Sequence, residues 1–182
     1  MKRFFTGFLL LLLTACSTST QSTTVSLPKA NASLPDLGLA PELTNTTWLN
    51  VDSPLRLATL RGKVVALEMW TFACINCQHV MPSLKAWHTQ YAEQGLVIIG
   101  NHFPEFSFEE DLANLKDAVK ENDIQYAVTQ DNDGATWKAY KNQYWPTLYL
   151  IDKNGHIRYV HIGEGGYSET EAAIQTLLAE SN

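Results

Sequence analysis

Two cysteines separated by two residues are the part of this sequence best suited to do chemistry. They are Cys74 and Cys77, in the segment "WTFACINCQHVMP". A pair with this spacing can bind a metal, attach a haem, close a small structural disulfide or exchange electrons through a reversible disulfide. The residues around the pair distinguish these four kinds of site.

Three of the four uses fit the surrounding residues poorly. Attachment of a c-type haem needs His directly after the second Cys, and Gln78 stands there. A structural zinc site needs four ligands, and none of the five histidines has a convincing ligand spacing with the pair. A disulfide across two residues constrains little of the unfolded chain and stabilises poorly. We therefore predict no metal site and no cofactor, although a copper-binding module using both thiolates and one His remains an alternative.

Electron exchange fits the pair best because of the elements on either side of it. The apolar run "KVVALEMW" before the pair predicts a strand buried on both faces. After it, apolar residues recur at helical spacing, at Val80, Leu84, Trp87 and Tyr91. Cys74 would then lie where a helix begins, and unpaired backbone N–H groups favour a thiolate there. We predict that Cys74 attacks a disulfide and that Cys77 resolves the mixed disulfide.

Two acidic residues are candidates for moving protons at this site. Glu68 lies inside the buried strand pattern, six residues before Cys74. A carboxyl group in an apolar setting has a raised pKa and can relay a proton from Cys77, whereas a Glu that reaches solvent from a strand end cannot. Glu105, in "FPEF", follows the second buried strand and either reaches the same site or lies in a solvated loop.

The remaining pattern predicts an α/β sandwich with a mixed sheet. A second buried strand is expected at Leu96–His102 and a short one at Ile124–Val128, and "TLYLID" and "HIRYVHI" flank "KNG" as a β-hairpin. Further helices are expected around Phe108–Val119, within "GATWKAYKN" and at the C-terminus. In such sheets ligands bind at the carboxyl ends of the strands, which is where the cysteine pair falls.

The N-terminus resembles a bacterial lipoprotein signal. Lys2 and Arg3 precede the apolar run "FFTGFLLLLL", and "LTAC" ends at Cys16. The resemblance implies a signal peptide at 1–15 and an acylated Cys16 at the start of the mature chain. Residues 16–34 are rich in Ser and Thr and predict a flexible tether, followed by the folded domain at 35–182.

These features favour a location outside the cytoplasm, where disulfides persist. Ser17, rather than an aspartate, follows the acylated cysteine and slightly favours the outer membrane of a Gram-negative cell. The formal net charge is −6, and the sequence has no cluster of basic residues of the kind that binds nucleic acid. Nucleic acid is therefore not expected as a partner.

Four longer segments resemble the TlpA/ResA-like thiol-disulfide oxidoreductases, and most of all the thioredoxin-like domain of DipZ-type proteins. They are "RGKVVALEMWTFACINCQHVMPSLKAW", "NHFPEFSFEEDL", "DNDGATWKAY" and "YWPTLYLIDKNGHIRYVHIGEGGYSETE". The resemblance implies a thioredoxin-like three-layer sandwich with a central mixed β-sheet flanked by helices. It also implies a reductase of disulfide-bearing proteins that receives electrons from a membrane thiol carrier of the CcdA or DsbD type.

The resemblance also assigns substrate-binding positions. Trp70 is similar to the aromatic residue before the active-site helix, and Pro82 to the proline that bends this helix. Pro146 resembles the cis-proline that faces the cysteine pair and receives the substrate backbone, and Trp145 stands at the preceding substrate-contacting position. The predicted substrate-binding set consists of Trp70, Trp145 and Pro146, together with Glu105.

A peroxiredoxin-like thiol peroxidase is the alternative enzyme with the same fold. Thr71 stands three residues before Cys74, as in the Thr-x-x-Cys motif of that group. Leu67 occupies the position where the motif has a proline. The mismatch favours disulfide exchange over peroxide reduction.

Overall fold

The computed structural model describes residues 33–181 together with Met1. The predicted signal peptide at 1–15, the lipidation site Cys16 and almost all of the predicted tether at 16–34 lie outside the described residues. Within the described part, no helix is long and apolar enough to cross a membrane.

Six strands form one mixed sheet. Their bounds are Trp48–Leu49 (β1), Val64–Trp70 (β2), Leu96–His102 (β3), Ala127–Gln130 (β4), Thr147–Ile151 (β5) and Ile157–Ile162 (β6). Their order across the sheet is β1-β4-β3-β2-β5-β6. The three central strands β2, β3 and β4 are parallel, and the other neighbours pair antiparallel. The predicted mixed sheet is confirmed.

Helices cover both faces of this sheet and complete the three layers. Their bounds are Ile75–Tyr91 (α1), Leu112–Glu121 (α2), Ala135–Ala139 (α3) and Tyr167–Ala179 (α4). The apolar sides of α1, α2 and α4 share one core with the sheet. On the opposite face, α3 and the segment around Ala40–Leu43 close a second core. The predicted sandwich is therefore confirmed.

The central strand β2 is buried along its whole length because helical layers lie on both of its faces. Successive side chains of a strand point to opposite faces. Val64, Ala66 and Trp70 accordingly belong to the core under α1, and Val65, Leu67 and Met69 to the other core. Glu68 falls between Ala66 and Trp70 in this alternation, so its carboxyl group lies on the α1 side.

Two local predictions differ from the structure, and one short strand was not predicted. The short strand expected at Ile124–Val128 forms instead at Ala127–Gln130, because the chain before it packs into the core. Phe108 is exposed in a 3-10 turn, and α2 begins only after Asp111, whose side chain accepts a hydrogen bond from the Ala113 N–H at 2.7 Å. The edge strand β1 was not predicted, since two residues are too short to show a pattern.

Candidate redox-active site

The two cysteines lie at the beginning of α1. Cys74 is the N-cap residue, with an extended backbone, and its carbonyl accepts a bond from the Gln78 N–H at 3.1 Å. Cys74 is half-buried, whereas Cys77 is completely buried, and both are free thiols. The Cys74 sulfur is therefore accessible to another molecule, whereas the Cys77 sulfur is not. In residues 33–181, no three His, Cys, Asp or Glu side chains gather as a metal-ligand group.

The surroundings of Cys77 hold its thiol in the protonated form. Burial is the main cause that raises the pKa of Cys77, and the negative charge of Glu68 raises this pKa further. A backbone hydrogen bond at Thr71 acts in the opposite direction but is outweighed. Because a thiolate is the attacking species, Cys77 needs a base when it attacks the mixed disulfide.

Glu68 is a buried acid whose charge acts on Cys77. Its side chain is 1% exposed, and its Oε1 has no hydrogen-bond partner among the described residues. Burial raises the pKa of Glu68 well above its usual value. The alternative of a carboxyl group that reaches solvent from a strand end is therefore wrong. A buried acid with a raised pKa, electrostatically coupled to the Cys77 thiol, has the properties of a general base.

The segment that contains Trp145 and Pro146 lies at the end of β2, near the cysteine pair. The Trp145–Pro146 peptide bond is cis, as the family resemblance implies. Thr147 pairs with Met69 across β5 and β2, so Pro146 lies beside the end of β2, where the chain leads to Cys74. Trp145 is half-buried; its ring stacks on Phe103 with centroids 5.8 Å apart and is tilted against the ring of Trp137 at 4.5 Å.

Trp70 does not present a surface to a substrate. Its side chain is completely buried, and its indole Nε1 has no hydrogen-bond partner among the described residues. The residue ends β2 on the face under α1, where its ring meets His102 edge-on at 5.3 Å. A role of Trp70 in substrate binding stays a prediction, and the complete burial of its ring within the core does not support direct contact with a substrate.

The loop after β3 brings a different acid to the site than the one predicted. Glu105 is exposed, whereas Glu109 is completely buried. The Glu109 carboxylate accepts hydrogen bonds from the backbone N–H groups of Ala73 at 3.0 Å, Glu105 at 2.8 Å and Phe106 at 2.9 Å. It also accepts one from the Thr71 hydroxyl. Glu109 thus connects this loop to the turn that leads into Cys74.

These contacts determine the charge states of Glu109 and His102. Burial by itself raises the pKa of Glu109, but hydrogen bonds from Thr71 and the backbone outweigh it, so the net pKa is lowered and the carboxylate is charged. His102 lies 4.0 Å from Glu109, and burial lowers the pKa of His102 to about 4. His102 is therefore neutral at neutral pH. The Thr71 hydroxyl, which a peroxiredoxin-like thiol peroxidase would use in its Thr-x-x-Cys motif, donates its hydrogen bond to Glu109.

Removing the Glu109 carboxylate is expected to destabilise the fold. Glu109→Ala would leave three backbone N–H groups and the Thr71 hydroxyl without their acceptor, which should lower the free energy of unfolding by about 3 kcal/mol. Glu105→Ala, four residues earlier in the same loop and exposed, should change it by less than about 0.5 kcal/mol. Urea unfolding of both variants measures the difference. Equal losses would contradict the assignment of Glu109 as the connecting residue.

The burial of Glu68 predicts a specific dependence of stability on pH. Since its pKa is raised in the folded protein above the usual 4.5, the unfolded chain releases this proton first as the pH rises. The wild type should therefore lose stability between pH 4.5 and the folded-state pKa. Glu68→Gln lacks this loss, so its stability relative to wild type should increase with pH. Urea unfolding across the pH range tests this, and parallel curves for the two proteins would refute it.

Comparison with known proteins agrees with this geometry. The model of the AhpC/TSA family matches residues 35–160. Protein DipZ of Mycobacterium tuberculosis is 41% identical over 153 residues, which cover 82% of this chain and 22% of DipZ. The chain thus spans about a fifth of the length of that relative.

Two further proteins match over most of their own length. Thiol-disulfide oxidoreductase YkuV of Bacillus subtilis is 30% identical over 142 residues, covering 78% of this chain and 95% of YkuV. The crystal structure of a thioredoxin-like superfamily protein superposes with a TM-score of 0.74 at 32% identity, covering 79% of this chain and 98% of that protein. The chain therefore belongs to the AhpC/TSA family, has the thioredoxin-like fold and is homologous to thiol-disulfide oxidoreductases.

Proposed function

We propose that this protein is a thiol-disulfide oxidoreductase that reduces disulfides of other proteins outside the cytoplasm. One observation carries the proposal: a half-buried Cys74 caps α1, and Cys77 lies buried behind it and is coupled to Glu68. An accessible attacking sulfur, a resolving sulfur and a buried base are the groups that disulfide exchange requires. The relative YkuV, of which this chain covers 95%, is named a thiol-disulfide oxidoreductase.

The reaction transfers two electrons from the dithiol to the substrate disulfide. The Cys74 thiolate attacks one substrate sulfur, and the other substrate sulfur leaves with the electron pair of the broken bond. Cys77 then gives its proton to Glu68 and attacks the Cys74 sulfur. The Cys74–Cys77 disulfide forms, and the substrate sulfur that Cys74 had attacked leaves as a thiolate.

The environment of Cys77 supports the proposed reductase direction. A strongly oxidising pair is one whose reduced form is stabilised. Here burial and the charge of Glu68 both disfavour the Cys77 thiolate, so ionisation of this residue adds no stability to the reduced form. This argues for a reductase. We further propose, from the family resemblance, that a membrane thiol carrier of the CcdA or DsbD type supplies the electrons.

The reduction potential tests the direction. Full-length protein equilibrated with dithiothreitol or glutathione mixtures should give a potential of roughly −250 mV, between those of glutaredoxins and thioredoxin. A value of about −120 mV, as for the strong oxidant DsbA, would mean that the protein oxidises its partners instead. The Cys74→Ser variant, which cannot form the disulfide, is the control for thiol titration.

The proposed location rests on the sequence of residues 1–34. Acylation at Cys16, a tether up to residue 34 and Ser17 in the second mature position would place the catalytic domain in the periplasm, slightly favouring the outer membrane. Labelling of cells with a palmitate analogue, followed by separation of inner and outer membranes, tests this. Label in the wild type and none in Cys16→Ser is the expected result, and equal labelling of both would refute lipidation at this residue.

A further inference from the structure

A buried tyrosine that the exchange reaction does not use lies in the same region as Glu68. Tyr126 precedes β4, is 1% exposed, and its hydroxyl has no hydrogen-bond partner among the described residues. A buried polar group without a hydrogen-bond partner destabilises the folded state. Burial, and after it the charges of Glu68 and Cys77, raise the pKa of Tyr126 well above its usual value. Tyr126 thus remains a neutral hydroxyl, electrostatically coupled to both groups.

Gly100 explains how Tyr126 comes near Glu68. Gly100 pairs with Glu68 across β3 and β2. A Cβ atom on Gly100 would lie 2.8 Å from Trp70 Nε1 and 3.4 Å from Tyr126 Cε2. The two aromatic rings therefore occupy the space above Gly100, on the face of the sheet to which the Glu68 side chain points. The ring edge at Cε2 is next to the hydroxyl, so the hydroxyl end of Tyr126 faces this region.

Tyr126 also borders a cleft on the protein surface. The cleft has a volume of about 80 Å³ and is lined by Lys85, His88, Thr89, Asp123, Gln125 and Tyr126. Its rim is open, since the Asp123 side chain is 76% exposed. The His88 and Tyr126 rings are 6.1 Å apart, and the buried Nδ1 of His88 has no hydrogen-bond partner among the described residues. Tyr126 is therefore the residue common to the buried site and to this cleft.

The cleft is remote from the surface on which a substrate would dock. His88 lies 13 residues beyond Ile75 in α1. At 1.5 Å per residue this is roughly 20 Å along the helix axis. A protein joined to Cys74 at the other end of the helix would leave the cleft open to water.

We propose that the Tyr126 hydroxyl carries protons between the Glu68 carboxyl group and this cleft, so that Glu68 exchanges its proton with water while a substrate covers Cys74. The proposal rests on the proposed function, because it concerns the proton released when Cys77 attacks. Tyr126 acts here through Glu68 and is a positioning and relay residue.

The proton steps balance without an added reagent other than water. Burial raises the pKa of Glu68, so its resting form is the carboxylic acid. Before resolution, Glu68 transfers its proton to the Tyr126 oxygen, directly or through one water molecule, and Tyr126 releases its own hydroxyl proton to water in the cleft. When Cys77 then attacks Cys74, the Cys77 proton moves to the Glu68 carboxylate, and the bond between Cys74 and the substrate sulfur breaks. The carboxylic acid and the neutral hydroxyl are thereby restored for the next cycle.

Tyr126→Phe tests this path, because it removes one unpartnered hydroxyl and keeps the ring. Rapid mixing of the reduced full-length protein with a labelled disulfide peptide measures formation and decay of the mixed disulfide. We expect decay to be roughly tenfold slower and formation to change by less than about twofold. In a Glu68→Gln background, Tyr126→Phe should cause no further slowing.

Tyr149→Phe is the matched control, since Tyr149 is also buried but its hydroxyl donates to Asn142 at 2.9 Å on the other face of the sheet. This variant should lose some thermal stability and keep both rates. Tyr126→Phe should keep its stability and lose the rate of decay. Opposite behaviour of the two variants separates proton transfer from a structural effect.

Infrared spectroscopy gives a readout that does not depend on the exchange reaction. The carboxylic acid band of Glu68, identified by its absence in Glu68→Gln, should shift in deuterated water more slowly in Tyr126→Phe than in wild type. Unchanged exchange and decay rates, or equal slowing of formation and decay, would overturn the proton path. If the wild type forms no mixed disulfide at all, the proposed function fails, and the infrared exchange still decides whether Tyr126 serves Glu68.

Discussion

Cys77→Ser is expected to leave this protein covalently joined to its partners through Cys74. Without the second thiol, the mixed disulfide formed by the first attack cannot be resolved, and it should persist until a reductant is added. Non-reducing gels of envelopes from cells that produce this variant should show bands of higher mass that disappear with dithiothreitol. Wild type should show few such bands, because Cys77 releases each partner.

The other cysteine variants make the trapping experiment specific. Of the pair, Cys74→Ser leaves only the buried Cys77, and this variant should trap nothing. The double variant should behave in the same way. Trapping by Cys74→Ser but not by Cys77→Ser would reverse the two roles, and it would require the completely buried sulfur to meet a partner before the half-buried one. Identification of the trapped proteins would also define the substrates.

Glu68→Gln is expected to slow resolution far more than attack. Cys77 is held as a thiol by burial and by the charge of Glu68, so its attack depends on the transfer of its proton. Loss of a general base reduces the rate of such a step by about a hundredfold or more. Cys74 begins its own attack at the accessible end of α1, and the rate of that step should change by less than about threefold. The mixed disulfide should consequently accumulate during turnover of the variant.

Glu105→Gln provides the control with the same chemical change. Glu105 is an exposed acid in the loop after β3, and its replacement should leave both rates at the wild-type values. Resolution as fast in Glu68→Gln as in wild type would remove Glu68 from the reaction. A matching loss in Glu105→Gln would instead assign the proton transfer to the acid that the structure places in solvent.

The choice between acids shows where sequence reasoning reaches its limit. Glu105, Glu109 and Glu110 lie within six residues of one another, and any of them could approach the site. Only Glu109 folds inward, because its carboxylate meets the turn at Thr71–Ala73, at least 36 residues earlier in the chain. No periodicity in the sequence marks this contact. In contrast, Glu68 was recognisable because six apolar or aromatic neighbours surround it in one buried strand.

The same difference holds for the residues around the cysteine pair. No pattern in the sequence marked Tyr126, and the family resemblance assigned Trp70 to substrate binding. The structure places both rings over Gly100, a site that needs the parallel pairing of β2 and β3 and the approach of the chain before β4. Such contacts join segments that lie tens of residues apart, so they exist only once the sheet has formed.

The sequence by itself determined the cysteine pair, its place at the start of a helix, the central buried strands and the burial of Glu68. These features depend on the spacing of apolar residues within one element, which is a local property of the chain. Only the tertiary structure decided that Glu109 connects the two loops, that Trp70 is enclosed and that Tyr126 borders both the space above Gly100 and an open cleft. These depend on strand order and register, which bring distant segments together and which short-range patterns do not specify.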